Sequence, residues 1–377
     1  MKNRIYKYFF HEFLSYFTVV LFALTAIIWT IQAVNYLDLV TNDGHGFSIY
    51  LYYSILTVPK ILTKLIPFSF LISLILTILK LDKDNELLVL WTSGLNKIHV
   101  VNFFFRVSLL VMISQLIMTT FITPKTLNFS RSVLKNSQLQ FVPSLLKEKT
   151  FNDTVKHLTV FVDEKKENGE YRNILIRDDS NILTQVSDGS STIVAKSAYM
   201  SNDEKSLILY NGFIQKIDSK EDVNSEATIS VISFDQTTLN LDGLTTKTIS
   251  DPKIQETSTI KLIECINFKS TKYHNCKKNS PAFINSKIEI NKRLGMPMFL
   301  PLVALLICFL LSNIKKNSSL NKYILFFITF SFLIGSEITV RYSGLSFLHT
   351  LTYYLIPIGV LPLIYLLLIK KFKYENL

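Results

Sequence analysis

FLSYFTVVLFALTAIIWTIQAV, residues 13–34, runs for 22 positions without a charged side chain. A bilayer core about 30 Å thick takes about 20 helical residues to cross, so this run is long enough to span one. It is too long for the apolar part of a signal peptide, and no small-x-small cleavage pattern follows it, so it reads as a retained helix. Five more apolar stretches follow: Ile49–Leu79, Val100–Ile122, Met296–Ser312, Tyr323–Val340 and Leu348–Ile369. The long segment from 123 to 295, between the third and fourth, is polar and strand-like. The expected fold is an α-helical polytopic membrane protein with six transmembrane helices, three and three. An extracytoplasmic all-β domain is inserted between the two blocks. The 49% hydrophobic content and the mean hydropathy of +0.30 agree with that class.

The net charge of +11 is a nucleic-acid signal only if it gathers on one face. Here it flanks the spans, so no nucleic acid is expected. Lys2, Arg4 and Lys7 precede the first span, and Lys80, Lys83 and Lys97 lie between the second and third. Lys315, Lys316 and Lys322 lie between the fourth and fifth, and Lys370, Lys371 and Lys373 follow the sixth. The opposite short loops hold no Lys or Arg in 36–48, and Arg341 alone beside 342–347. The positive-inside rule then puts both termini in the cytoplasm and the inserted domain outside. The domains expected are 1–122 with spans one to three, 123–285 with the β domain and flanking helices, and 286–377 with spans four to six.

The second span is too long. Counting back about 20 residues from Lys80 puts its far boundary near Lys60, leaving an aromatic, amphipathic piece at 47–58, with Pro59 and Pro67 expected to bend the helix. The loop NELLVLWTSGL (85–95) reads as a short helix within 82–95. Asp82 or Asp84 can cap its start, and Glu86 suits the positive end of the helix dipole. Gly94 can take the left-handed position at its end, and Leu87, Leu90 and Trp91 share an apolar face.

Within the inserted domain, 157–162, 171–177, 191–198, 207–217 and 227–234 read as strands. Asp188-Gly189 marks a turn and Asn211-Gly212 a bend or bulge. A sandwich, a jelly roll or an open barrel fits such a series. Val160, Val162, Ile174, Ile176, Ile193, Leu207, Leu209 and Ile229 alternate as an apolar inner face. Ile260, Leu262, Ile263 and Ile266 suggest a short amphipathic helix, and 283–293 leads into the fourth span. For Cys265 and Cys276 two readings stand, a bridge or two unpaired thiols. With His274 they are too thin a set for a metal site, and none is expected.

No G-x-x-x-x-G-K-[ST], H-E-x-x-H, G-x-S-x-G or paired C-x-x-C occurs. No catalytic residue and no cofactor are therefore expected in this chain. If nucleotide drives transport, ATP and magnesium are bound by another subunit. Polar residues at membrane depth are costly and mark candidate sites. Lys60 and Lys64 lie four apart on one helix face; they can meet lipid phosphates or snorkel to ordinary headgroups. Glu337 and Arg341, also four apart, are expected to pair with each other. Arg106 reads as an interface anchor, Gln115 as an interhelix hydrogen bonder, and Glu289 with Arg293 as a salt bridge at the entrance to the fourth span.

NELLVLWTSGL (85–95) resembles the S-E-L-x-V-x-R-A-x-G-I/L segment of the lipopolysaccharide-export permeases, the paired F and G membrane subunits of the Lpt ABC transporter. KIEINKRLGMP (287–297) resembles that family's E-x-H-x-R-x-A-x-P segment, through Glu289, Arg293 and Pro297. IVAKSA (193–198) and LYNG (209–212) look like strands of its β-jellyroll domain. WTIQAVNYLDLV (29–40) is more similar to the F subunit than to the G subunit. The resemblance implies a permease of the inner membrane of Gram-negative bacteria. It would form a heterodimer with a second six-helix permease, driven by a cytoplasmic ATPase dimer. Lipopolysaccharide would pass through it to a periplasmic bridge jellyroll protein. It also implies that the loop helix docks on the ATPase through Asp84, Glu86, Leu87, Leu90, Trp91 and Gly94. Lipid or gate contacts are expected at Gln32, Asn35, Lys60, Lys64, Glu337 and Arg341. Asn35 and Tyr36 stand where family members often carry a basic residue, and Lys60 and Lys64 can substitute for it. Two rivals are a G-type permease and a membrane receptor or assembly factor that binds a ligand on its β domain.

Overall fold

The protein is described by a computed structural model covering residues 2–41, 46–136, 146–153, 157–166, 169–179, 189–201, 206–218, 228–241, 253–267, 276, 280–312 and 318–375. Asp188, His274, Lys315 and Lys316 lie outside the described residues. The chain divides into two compact units. One comprises Met1–Ile31, Leu56–Asn128 and Lys253–Leu377; the other comprises Gln32–Ile55 and Phe129–Pro252.

In chain order the helices before the sheet are α1 (Lys2–Asn35), α2 (Asp38–Thr41), α3 (Phe47–Leu56), α4 (Val58–Lys83), α5 (Glu86–Thr92) and α6 (Lys97–Ile117). A π-helical turn (Met118–Ile122) joins α6 to α7 (Thr123–Asn136). After the sheet come a 3₁₀ turn (Ile254–Glu256), α8 (Thr259–Ile266), α9 (Pro281–Ile307), α10 (Ser318–Tyr342) and α11 (Phe347–Glu375). Among the described residues, six helical segments are long and apolar enough to cross a membrane: Arg4–Thr41, Phe47–Lys83, Lys97–Leu134, Pro281–Leu311, Lys322–Tyr342 and Phe347–Lys373.

Local chemistry explains the breaks. The overlong second span is two helices. Pro59, which has no N–H to offer a preceding turn, sits in the first turn of α4, where none is needed. Ser280 caps α9 by accepting from the Phe283 N–H at 3.2 Å, with Pro281 in its first turn. Asn96 caps α6 in the same way through Ile98 N–H. The core of the helical unit is built from α4, α6 and α9: Phe70, Leu71, Leu74, Ile78 and Leu81 pack with Val100, Phe104, Leu300, Val303 and Ile307.

The second unit carries a six-stranded antiparallel sheet in simple sequential order. Its strands are β1 (Phe151–Asn152), β2 (Leu158–Lys165), β3 (Glu170–Asp178), β4 (Gly189–Met200), β5 (Ser206–Asp218) and β6 (Thr228–Asn240). All five expected strands are present, and β1 is an addition. Val160, Val162, Ile174, Ile176, Ile193, Leu207 and Leu209 are buried as expected; Ile229 is 60% exposed.

A crease across the sheet accounts for that exception. The paired positions Asp163, Asn173, Lys196, Asn211 and Asp235 are the rungs missing from otherwise continuous registers. Asn173 and Asn211 have φ of 49° and 52°, a left-handed conformation that Asn tolerates better than most residues. Crossing the crease inverts which parity faces inward. Tyr171, Ala198, Leu209 and Leu239 are buried on one side of it, and Ile174, Ala195 and Ile193 on the other. Ile229 shares the parity of Leu239 but lies beyond the crease, so it turns outward. No residue is inserted, so Asn211-Gly212 is a bend rather than a bulge. Gly212 is required there because a Cβ would lie 2.2 Å from the Val194 carbonyl oxygen.

Candidate functional site: a charged cavity among the helices

The helical unit holds a cavity of about 270 Å³ bounded by α4, α6 and its π turn, α9 and α10. Two prolines shape its walls. Pro67 in α4 has no N–H for the Thr63 carbonyl, and Pro297 in α9 has none for the Arg293 carbonyl. Both carbonyls are claimed by the third span. Gln115 Nε2 donates to Thr63 O at 3.3 Å, and Thr119 Oγ1 donates to Arg293 O at 3.0 Å. The expected interhelix bond of Gln115 is therefore present and has a definite cause. A carbonyl only accepts, so the amide must present nitrogen to Thr63. Its Oε1 is left buried without a partner among the described residues, as is Thr123 Oγ1. Both residues line the cavity. Pro124 likewise has no N–H for the Thr120 carbonyl, which accepts from Thr259 Oγ1 at 2.8 Å.

Arg293, 3% exposed, ties the cavity together. Its Nε donates to Glu289 Oε1 at 3.0 Å, the salt bridge expected from spacing four apart. The remaining nitrogens donate to Thr257 O, Thr259 Oγ1 and Gln255 O at 3.0–3.1 Å. This fork fastens α9 to the start of α8. Nearby, Cys265 and Cys276 form a disulfide, and the Ser286 hydroxyl rests 3.6 Å from Cys265 Sγ.

The cavity is lined by Lys60, Lys64, Lys292 and Arg293 against Glu289 and Glu337, an excess of two positive charges. The expected Glu337–Arg341 pair does not form. Glu337 takes Lys292 of α9, because its face of α10 turns toward α9 and the cavity, whereas Arg341, one turn on, is exposed. Among the described residues no carboxylate reaches Lys60 or Lys64. Gln32 and Asn35 belong to the other unit; Gln32 accepts from the Tyr36 hydroxyl at 3.3 Å, and Asn35 ends α1 exposed. Sequence reasoning missed Lys292, Thr119 and Thr123. The available signal for Thr119 was the Arg293 carbonyl, which Pro297 leaves without an N–H.

At the other end of the same unit lies α5. Asn85 precedes it with φ 58° and makes no side-chain cap. The capping expected of Asp82 or Asp84 is absent because the cap position falls on Asn85: Asp84 ends α4 through its backbone N–H, and Asp82 accepts from Lys322 Nζ at 2.8 Å. Glu86 is in the first turn as expected and accepts from the Tyr8 hydroxyl at 2.9 Å. Leu87 is buried and Leu90 and Trp91 are half-buried against the helical core. Leu88 and Val89 stand 57% and 63% exposed. Gly94 follows with φ 81° in the expected left-handed position.

A family model for the lipopolysaccharide export system permease LptF/LptG matches residues 7–371. The chain belongs to this family. The match runs through both helical blocks and the sheet between them, and it does not separate F from G. The apolar helical segments and the permease family together indicate a protein of the inner membrane. The chain is also similar to the uncharacterized protein RP871 of Rickettsia prowazekii (strain Madrid E), 28% identical over 177 residues. That similarity covers 46% of this chain and 48% of the relative.

Proposed function

We propose that this chain is a permease subunit, of the F type, in an ABC exporter for lipopolysaccharide. It draws the lipid from the outer leaflet of the inner membrane and hands it to a periplasmic bridge of jellyroll domains. The single observation that carries this reading is the family match across residues 7–371. The stretch WTIQAVNYLDLV (29–40) favours F over G. The charge pattern favours cytoplasmic termini and a periplasmic β unit of the jellyroll class. ATP and magnesium belong to a partner ATPase, and a second six-helix permease completes the pathway.

The geometry divides labour within α5. Leu87, Leu90 and Trp91 anchor the helix to the bundle, while Glu86, Leu88 and Val89 form the face offered to the ATPase. Lys60 and Lys64, lacking carboxylate partners among the described residues, meet the phosphates of the lipid headgroup. Tagged full-length chain extracted from membranes should bring down a soluble ATPase and a second six-helix permease. The double variant Leu88→Asp, Val89→Asp should lose the ATPase and keep the permease. Isolation of a homodimer without ATPase would sink the exporter reading.

A further inference from the structure

Across the charged cavity runs an ion pair between Lys292 of α9 and Glu337 of α10. Both side chains are about one-third exposed and both line the cavity. Lys60 and Lys64 line that space with no carboxylate within ion-pair distance among the described residues, and Gln115 Oε1 and Thr123 Oγ1, on two residues that also line it, are buried with no partner among the described residues. Such an acceptor takes a donor that the protein's described residues do not supply, a water or the hydroxyl or N–H of a ligand. The complementary ligand is therefore an anionic group, of phosphate type, that also presents a hydroxyl or N–H. A volume of about 270 Å³ admits a headgroup fragment.

We propose that such an anion, seated between Lys60 and Lys64, takes Lys292 from Glu337 and so unlatches α10 from α9. Lys292 is then a conditional third cation of the site. A dianion among three ammonium groups offers Lys292 a stronger charge-assisted partner than one carboxylate. Glu337, left facing the arriving negative charge, is repelled from it. A second polar tie remains elsewhere: Asn291 Nδ2 donates to Ser343 Oγ at 2.9 Å, just beyond the end of α10. Asn291 and Ser343 do not line the cavity, and the Ser336 hydroxyl of α10 still rests 3.7 Å from Met296 Sδ of α9, so the exchange removes the ionic tie across the cavity while these weaker contacts stay. This inference rests on the permease reading for its ligand and deepens it by naming how occupancy is signalled.

The test uses the full chain in the complex with which it purifies, reconstituted in nanodiscs of phosphatidylcholine alone or with phosphatidic acid. Spin labels at Leu294→Cys and Ile338→Cys, both exposed, report the separation of α9 and α10. The buried Cys308 is replaced by Ala. Phosphatidic acid should lengthen the distance by roughly 2 Å or more, the scale of helix shifts between packed states. Glu337→Gln should give the longer distance without phosphatidic acid. The swap Lys292→Glu with Glu337→Lys should restore the short distance and abolish the response. Lys60→Met with Lys64→Met should lower phosphatidic acid retention by about tenfold or more. A further arm adds inorganic phosphate to phosphatidylcholine nanodiscs. A response there assigns recognition to the phosphate alone, and a response only to phosphatidic acid assigns it to the lipid. A complex that retains phosphatidic acid with an unchanged distance, or a Glu337→Gln variant that stays short, overturns the latch. Either result in a complex that still carries its ATPase leaves the exporter reading standing. Loss of the ATPase and second permease would instead sink that reading alone.

Discussion

At the α5 end of the helical unit, Lys80 sits on Glu12 at 2.7 Å, Lys322 sits on Asp82, and Glu86 lies under the Tyr8 hydroxyl. Lys97, 4% exposed, lies between the rings of Trp91 and Phe372 at 5.8 and 5.7 Å. At the cavity end, Lys60 and Lys64 have no carboxylate within ion-pair distance among the described residues, and the carboxylate on Lys292 faces the same space. At the α5 end Lys80, Lys322 and Lys97 have fixed partners inside the bundle, whereas at the cavity end Lys60 and Lys64 have no ion-pair partner among the described residues. Fixed partners suit a surface that must move as a rigid piece under a push. Unpaired or exchangeable ones suit a surface that must accept a charged guest, because uncompensated charge near a low-dielectric interior is stable only where something arrives to balance it.

Arg293 is the exception at the cavity end, and removing it should have the largest effect. Arg293→Met strands Glu289 and three acceptors of the 255–259 segment beside a buried position. Breaking one partner of a buried, hydrogen-bonded charge costs about 3–5 kcal/mol. The melting temperature of the full complex in detergent should fall accordingly. Arg293→Lys should recover only part of it, since one ammonium cannot reproduce a planar fork reaching four acceptors. If Arg293→Met melts with wild type, the cavity end is not held by this staple and the contrast between the ends loses its firmest element.

A smaller effect is expected from the disulfide. Cys265 and Cys276 are 11 residues apart, and closing a loop of that size is worth about 3 kcal/mol in the chain-entropy account, with measured values commonly lower. Cys265→Ser with Cys276→Ser should lower the melting temperature less than Arg293→Met does. It should leave the amount of co-purified ATPase unchanged, because α8 packs on α9 and not on α5. A loss of ATPase in this variant would show that the two ends are not separable.

The architecture was legible because each of its signals is local. Uncharged runs gave the spans, alternation gave the strands, and the aliphatic spacing of 260–266 gave α8. What failed did so where one residue has two suitors. Glu337 stands four residues from Arg341, so sequence spacing pairs them; the turn of α10 toward α9 pairs it with Lys292. Asp82 stands before a helix and reads as a cap, yet the cap position falls on Asn85, and Asp82 pairs with Lys322, far along the chain. Ile229 keeps the right parity, but two asparagines in left-handed conformation invert the pleat before it. The cavity itself was hidden for the same reason: only a packed bundle shows that Gln115 and Thr119 serve the carbonyls freed by Pro67 and Pro297.

The smallest predicted change in stability tests the α5 end. Tyr8→Phe removes one hydroxyl and keeps the ring that packs beside Phe9, so stability should drop by no more than about 1 kcal/mol, the net worth of one hydrogen bond. Its consequence for the partner should be larger than for the fold. Glu86 is exposed enough to face a partner, and the Tyr8 hydroxyl fixes one of its carboxylate oxygens. Freed of that bond, the side chain regains rotamers that must be frozen again on docking, at about 0.5–1.5 kcal/mol for a side chain of this kind. The amount of ATPase retained should then fall about two- to tenfold while the melting temperature hardly moves. Glu86→Gln keeps the bond and removes the charge, so it separates positioning from electrostatics. If Tyr8→Phe retains ATPase like wild type while Glu86→Gln does not, the carboxylate acts through its charge alone. The internal partners at this end would then be packing rather than preparation for docking.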